Sequence, residues 1–133
     1  MSNVAIRPKV WVVKEQVLRG PTGPAPMDYT PAYKYGDVQF ITDCDLPLTR
    51  GASSLKDLWT QQVKEFHRAY DPDRDYIITT GSPLAIFLIG TIIGAINSTY
   101  RPKILVWRRE SNEYVPFDSI ELFKHEAIAS TRD

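Results

Sequence analysis

The run from Pro83 to Ile96 constrains this chain most: fourteen residues without a charged side chain, opened by Gly81–Ser82 and followed by Asn97–Ser98. A bilayer span needs about twenty such residues, so the run predicts a buried core helix rather than a membrane segment. Ser82 suits the N-cap and Pro83 the first helical position, where a missing N–H has no partner to lose. Because the segment is apolar nearly all round, the helix is expected to be covered on more than one side. Gly90 and Gly94 lie four residues apart, hence on one face, and would let another backbone come close.

A helix of that kind needs a sheet to pack on, and the flanking sequence supplies strands. Tyr76–Thr80 is a short apolar run that reads as a strand buried in a parallel sheet, and as the central one. Lys9–Val13 is β-branched and aromatic, with a pattern that extends toward Leu18, and reads as the first strand. Asp37–Thr42 and Lys103–Arg108 read as further strands. Tyr114–Phe117, returning from Ser111–Asn112, reads as an antiparallel edge strand where Pro116 is tolerated. Ahead of the central strand, Leu55, Leu58, Trp59, Val63 and Phe66 recur at helical spacing, behind a cap at Ser53 or Ser54 and before a stop at Asp71–Pro72. Gly20, Pro21, Gly23, Pro24 and Pro26 predict a loop without a sheet ladder over 19–26, and Pro31–Tyr35 a single helical turn before Gly36.

Two consecutive strand–helix–strand units imply an α/β fold: a small Rossmann-like three-layer domain with a mostly parallel sheet and an antiparallel edge hairpin. A ferredoxin-like or swapped arrangement is the alternative, because strand order is not readable from this pattern. With 133 residues and 43% hydrophobic content, the chain has the size and apolar content of a single domain, 1–133. Within it, 19–36 is a Pro/Gly/Tyr-rich loop and 124–133 a polar tail.

Charge and cysteine usage narrow the partners. Sixteen Lys and Arg balance sixteen Asp and Glu, so no overall field draws the protein to nucleic acid or to an anionic membrane. Neither partner is expected. Cys44 is the single cysteine, which leaves no internal disulfide and no cysteine-based zinc site and suits a reducing compartment. The first nine residues lack the apolar stretch of a secretory leader, and cytoplasm is the expected location.

In an open parallel sheet, ligands favour the crevice beyond the carboxyl ends of the strands, which selects residues 43–45, 79–82 and 108–110. Gly81 permits close backbone approach, and a helix starting at Pro83 aims unpaired N–H groups outward. Thr80 and Ser82 add hydroxyls and Arg108 or Arg109 a charge-assisted donor. Thr80, Gly81, Ser82 and Arg108 together form the candidate site for a nucleotide or other anion, although Ser–Pro is in the first place a good helix start. The loop carries neither the dinucleotide glycine fingerprint nor the Gly-Lys-Ser/Thr ending of a P-loop. Asp43 and Asp45 offer oxygen ligands or an acid/base pair, or simply flank a turn. Cys44 between them is expected to have a raised pKa. His67 and His125 lack the spacing of a metal site or triad and read as surface residues. With no nucleophile elbow, His-Glu-x-x-His or paired-Cys motif, no catalytic residue, metal or cofactor is expected. The chain reads as a binding protein first; an enzyme with Asp43 or Asp45 as acid/base and Arg108 as anion clamp is the remaining alternative.

Tyr29, Tyr33 and Tyr35, close to Pro24, Pro26 and Met27, differ in kind. Tyrosine and methionine are enriched in interfaces, and a proline-stiffened loop loses less entropy on docking, so these tyrosines are the candidate contact for a protein partner. The same cluster would serve equally as a flap over one sheet face. The strand near Tyr114 offers a second contact surface, for a partner strand or a homodimer.

The run DYIITTGSPLAIFLIGTIIG, then ILVWRRESNEYVPF, together with TPAYKYGD, resembles small bacteriophage proteins that pair a strand–Gly–x–Pro–helix unit with a strand ending in Trp-x-Arg and a tyrosine hairpin. That resemblance implies a phage-type accessory protein acting on a host or phage macromolecule. Residues 76–107 are also similar to the ligand-facing unit of CARF and SAVED nucleotide-sensor domains, which implies contact with a cyclic oligonucleotide at the 79–83 loop.

Overall fold

The computed structural model describes residues 7–51, 53–96 and 102–117, Leu18 and Arg19 by their backbone alone. Five strands form the main sheet: β1 Lys9–Lys14, β4 Asp37–Thr42, β5 Tyr76–Ile78, β6 Lys103–Arg108 and β7 Glu113–Phe117. Their spatial order is β4-β1-β5-β6-β7. β1 pairs in parallel with β4 and β5, β5 in parallel with β6, and β7 closes one edge antiparallel to β6. The α/β class, the mostly parallel sheet and the antiparallel edge hairpin expected from the sequence are all present, and the central strand is β5.

Alternation along β1 divides the core. Trp11 and Val13 face one way, Val10 and Val12 the other, as the period of two requires. The first face receives both helices, α1 (Ser53–Ala69) through Trp59, Val63 and Phe66 and α2 (Pro83–Ile96) through Ala85, Ile89 and Ile93. Trp11 meets Phe66 edge-on with ring centroids 5.2 Å apart, a preferred aromatic geometry. Among the described residues, the second face is covered without a long helix. Tyr29 and Ala32, backed by Met27 and Tyr35, pack on Val10, Val12, Ile78, Leu105 and Tyr114. The three layers are therefore helices, sheet and an aromatic flap, the flap being the β1-to-β4 connection.

Asp75, just ahead of β5, is buried at 2% exposure. Its side-chain oxygens accept from Lys9 N–H and Trp11 Nε1–H, which lie on β1, and from Asp71 N–H in the turn after α1, each at 2.9 Å. The three donors satisfy a group that would otherwise be costly to bury. At the same end, Gly36 admits the chain into β4: a Cβ there would lie 2.2 Å from the Pro8 carbonyl oxygen. That carbonyl accepts from Asp37 N–H at 2.9 Å and sets the β1–β4 register.

Several sequence expectations change. Residues 19–26 are not an unpaired loop, because β2 (Val17–Gly20) and β3 (Gly23–Pro26) form an antiparallel ribbon. Pro24 and Pro26 are two apart, so both missing N–H groups fall on the outer edge of that ribbon. The inward position next to them is used, Met27 N–H donating to the Gln16 carbonyl at 2.9 Å. β1 stops at Lys14 instead of running toward Leu18, and β5 ends at Ile78 instead of Thr80. The turn expected over 31–35 is a 3-10 helix at Thr30–Ala32 that begins one residue earlier. Leu55 and Leu58 are exposed, outside the buried stripe of α1. Among the described residues α2 is covered on one side only, its opposite face being exposed from Leu84 to Ala95. No helix among the described residues is long and apolar enough to cross a membrane. The helix stop at Asn97–Ser98, the tail from Lys124 and His125 lie outside the described residues.

Candidate functional site

Strand order reverses between β1, whose chain leaves toward β4, and β5, whose chain leaves toward β6. Open parallel sheets place ligands beyond the carboxyl ends of the strands at such a point. Residues 79–82 lie there. Lys14 N–H donates to the Thr80 carbonyl at 3.0 Å, continuing the β1–β5 contact past the end of the strand. The Thr80 hydroxyl turns inward, donating to the Lys14 carbonyl at 2.7 Å and lying 3.4 Å from the Tyr29 hydroxyl. Gly81 has φ +125°, and a Cβ there would come within 3.2 Å of the Lys14 Cβ, so both backbone and space favour glycine. The Ser82 hydroxyl accepts from Ala85 N–H at 3.2 Å and caps α2. Gly81 and Ser82 are exposed.

Arg108 lies apart from this turn. It lines a recess with Val106, Arg109, Glu110, Val115 and Phe117 that includes none of residues 79–82. The structure thus gathers Thr80, Gly81 and Ser82 with Lys14 and Tyr29. Asp43 is held by Gln62 of α1, whose side-chain amide donates to Asp43 Oδ1 at 2.6 Å, and Asp45 faces Lys14 Nζ at 3.4 Å. Burial, reinforced by Asp43 and Asp45, pushes the Cys44 thiol up. His67 is exposed on α1.

The three tyrosines divide between two tasks. Tyr29 is buried, and its hydroxyl accepts from Gln16 N–H at 3.0 Å. Tyr35 is half-buried, donates to the Tyr114 carbonyl at 2.8 Å and tilts against Tyr76. Both fasten the flap to the sheet. Tyr33 is 55% exposed. It lines a recess of about 430 Å³ with Met27, Asp28, Tyr29, Val38, Phe40, Pro26 and Glu15. Phe40, 41% exposed, packs edge-on against Tyr29 and also borders a second recess containing Lys14, Glu15, Val17, Thr42 and Asp43. The two recesses share Glu15 and Phe40 and make one trough over the carboxyl edge of β1 and β4. Its lining combines the apolar side chains of Pro26, Met27, Val38 and Phe40 with the charged groups of Glu15, Asp28, Asp43 and Lys14. Hydrogen bonds from the Thr30 hydroxyl and amide hold the Asp28 carboxyl below its ordinary value.

Sequence reading missed Phe40 and Glu15 as surface-forming residues. The available signal was the alternation in β4: Val38 and Phe40 share the flap face with Val10 and Val12, their partners in register. On an edge strand only partly reached by the flap, that face stays open.

Compared with known proteins, the sequence matches the family described as Phage Pam3 gp32-like protein over residues 8–120. No curated protein and no solved structure matches. The family match concerns phage proteins and does not extend to CARF or SAVED domains.

The underside of the flap yields a pH-dependent prediction. Tyr114 is buried and its hydroxyl has no hydrogen-bond partner among the described residues. Burial, then Tyr29 and Asp28, pushes its pKa up to about 12. An unfolded tyrosine ionises near about 10, so between these values the folded state holds the proton and the unfolded state has lost it. Stability therefore falls as pH rises from about 10 to about 12. Chemical denaturation across that range is expected to show a shallower decline for Tyr114→Phe than for the parent protein.

Proposed function

The chain belongs to the phage Pam3 gp32-like protein family, and from that premise we propose that it is a phage accessory protein that binds a protein partner through the trough at the carboxyl edge of β1 and β4. One observation carries this reading. Tyr33, on a flap whose other tyrosines are fastened by hydrogen bonds, and Phe40, on the adjoining strand β4, expose aromatic surface beside Met27. Anchored aromatic side chains beside a recess are what interface hot spots are made of, and a pre-formed flap reduces the ordering cost of docking.

The lining defines the chemistry of the partner. Glu15, Asp28 and Asp43 line the trough beside its apolar side chains, while Lys14, also in the lining, is engaged with Asp45. The complementary segment carries an apolar side chain flanked by Lys or Arg. A phage protein made in an infected cell meets such partners in the host cytoplasm.

The test is affinity capture from infected cells, followed by titration of the recovered partner. Tyr33→Ala with Phe40→Ala is expected to weaken binding by about thirtyfold, close to 2 kcal/mol, the scale of a hot-spot truncation. Glu15→Lys is expected to slow association and reduce its salt dependence. Retention of full affinity by the double aromatic variant, with its fold intact, contradicts the proposal.

A second reading, an anion or nucleotide at Gly81–Ser82, is favoured by the exposure of that turn at the reversal of strand order. It predicts a Tm that rises with nucleotide concentration and is lost in Gly81→Val. No rise with mono-, di- or cyclic nucleotides at millimolar concentration removes it.

A further inference from the structure

β4 is an edge of the main sheet, and it bears few of the devices that usually keep such an edge unpaired. Its one charge is Asp37, at the first position, and it contains neither proline nor glycine. The opposite edge, β7, is blunted: Pro116 has no N–H to offer, and the Tyr114 carbonyl already accepts from the Tyr35 hydroxyl at 2.8 Å. On β4 the Asp37 N–H points inward, donating to the Pro8 carbonyl at 2.9 Å. Only alternate residues of a strand bond to the neighbour on a given side, so Val38 and Phe40 direct their N–H and C=O groups away from β1. No described residue pairs with them on that side.

Recesses lie on both faces of this edge. On the flap side, Val38 and Phe40 join Met27 and Tyr33 in the trough. On the helix side, Gln39 and Ile41 join Asp43, Gln62 and Glu65 in a further recess of about 490 Å³. Across these recesses Glu15, Asp28, Asp43 and Glu65 supply four carboxylates, and Lys14 is the one cation among the described lining residues. Lys14 faces Asp45, and Glu65 is met by Arg68 from outside the lining.

We infer that β4 takes up an extended segment of the protein partner as an added strand, a binding mode that rests on the trough reading and deepens it. Strand addition draws affinity from main-chain hydrogen bonds and selectivity from pockets for alternate side chains. Successive side chains of the added strand point to opposite faces of the sheet, and here the two faces differ. On the flap side they lie beside Tyr33, Met27 and Phe40. On the helix side they meet Gln39, Gln62 and the carboxylates of Asp43 and Glu65. The occupant is therefore a segment in which apolar residues alternate with Lys or Arg, its charge opposite to that of the lining.

The probe is a short synthetic peptide, blocked at both ends, that alternates Lys with Val and carries Phe at its centre. The readout is amide hydrogen exchange of the full chain, followed by NMR. At saturating peptide, exchange at the Val38 and Phe40 amides is expected to slow by about tenfold or more, while the Gln39 and Ile41 amides, already turned toward β1, change little. The same peptide with Glu in place of every Lys is expected not to bind. Binding that is lost in Tyr33→Ala with Phe40→Ala, yet leaves the Val38 and Phe40 amides of the parent protein unprotected, overturns strand addition and leaves the trough reading standing. Protection that survives this double variant unchanged supports the added strand and overturns the aromatic trough. No binding at millimolar peptide, or equal binding of the Glu peptide, overturns the proposal. Protection of these amides that grows with the concentration of the free chain assigns the edge to a second copy, which also overturns it.

Discussion

The side chain of Asp75 joins β1, the turn after α1 and the start of β5 through buried hydrogen bonds. It accepts from the first amide of β1, from the indole of Trp11 in the middle of that strand, and from the amide of Asp71 in the turn after α1. Each is a hydrogen bond to a buried group, of a kind worth on the order of 1–3 kcal/mol when a partner is removed. Trp11 carries the consequence further, since its ring supports Phe66 of α1. Asp75 thus ties the helix layer, the central strands and the turn between them together, beside the β1–β5 ladder itself.

With β1 and β5 locked side by side, the reversal of strand order is fixed, and so is the route of the β1-to-β4 connection. In many doubly wound domains that crossover is a helix. Here it is a ribbon, β2–β3, followed by a flap of tyrosines. A flap covers less of the sheet than a helix does, leaving the edge at β4 partly open with Phe40 beside Tyr33. The Tyr35 hydrogen bond to the Tyr114 carbonyl and the packing of Tyr29 on Phe40 fasten the walls of this opening to the sheet. The same economy appears on the helix side. Two helices lie over a five-stranded sheet, so the outer face of α2 and the β6–β7 edge have no neighbour among the described residues.

Much of this was legible in the sequence because period and composition agree there. The alternation in Lys9–Lys14, the helical spacing of Trp59, Val63 and Phe66, and the Ser82–Pro83 start of α2 report local geometry directly. What was not legible depends on direction and distance. Pro24 and Pro26 signal a break in pairing, yet their two-residue spacing places both on the free edge of a ribbon. The apolar character of α2 predicts full coverage, yet only the side bearing Ala85, Ile89 and Ile93 is buried. Arg108 and Ser82 occupy carboxyl ends of neighbouring strands, yet Arg108 lines a different recess. Glu15 and Phe40 gain their role only when strand order brings β1 and β4 together.

The dependence of the frame on Asp75 is measured most directly by a double-mutant cycle between Asp75→Ala and Trp11→Phe in urea unfolding. Trp11→Phe removes the indole donor and keeps an aromatic ring against Phe66. The two changes are expected to be strongly non-additive, with a coupling of about 1–3 kcal/mol, because either one already breaks the bond between them. Additive effects, or an Asp75→Ala protein as stable as the parent, would contradict the account.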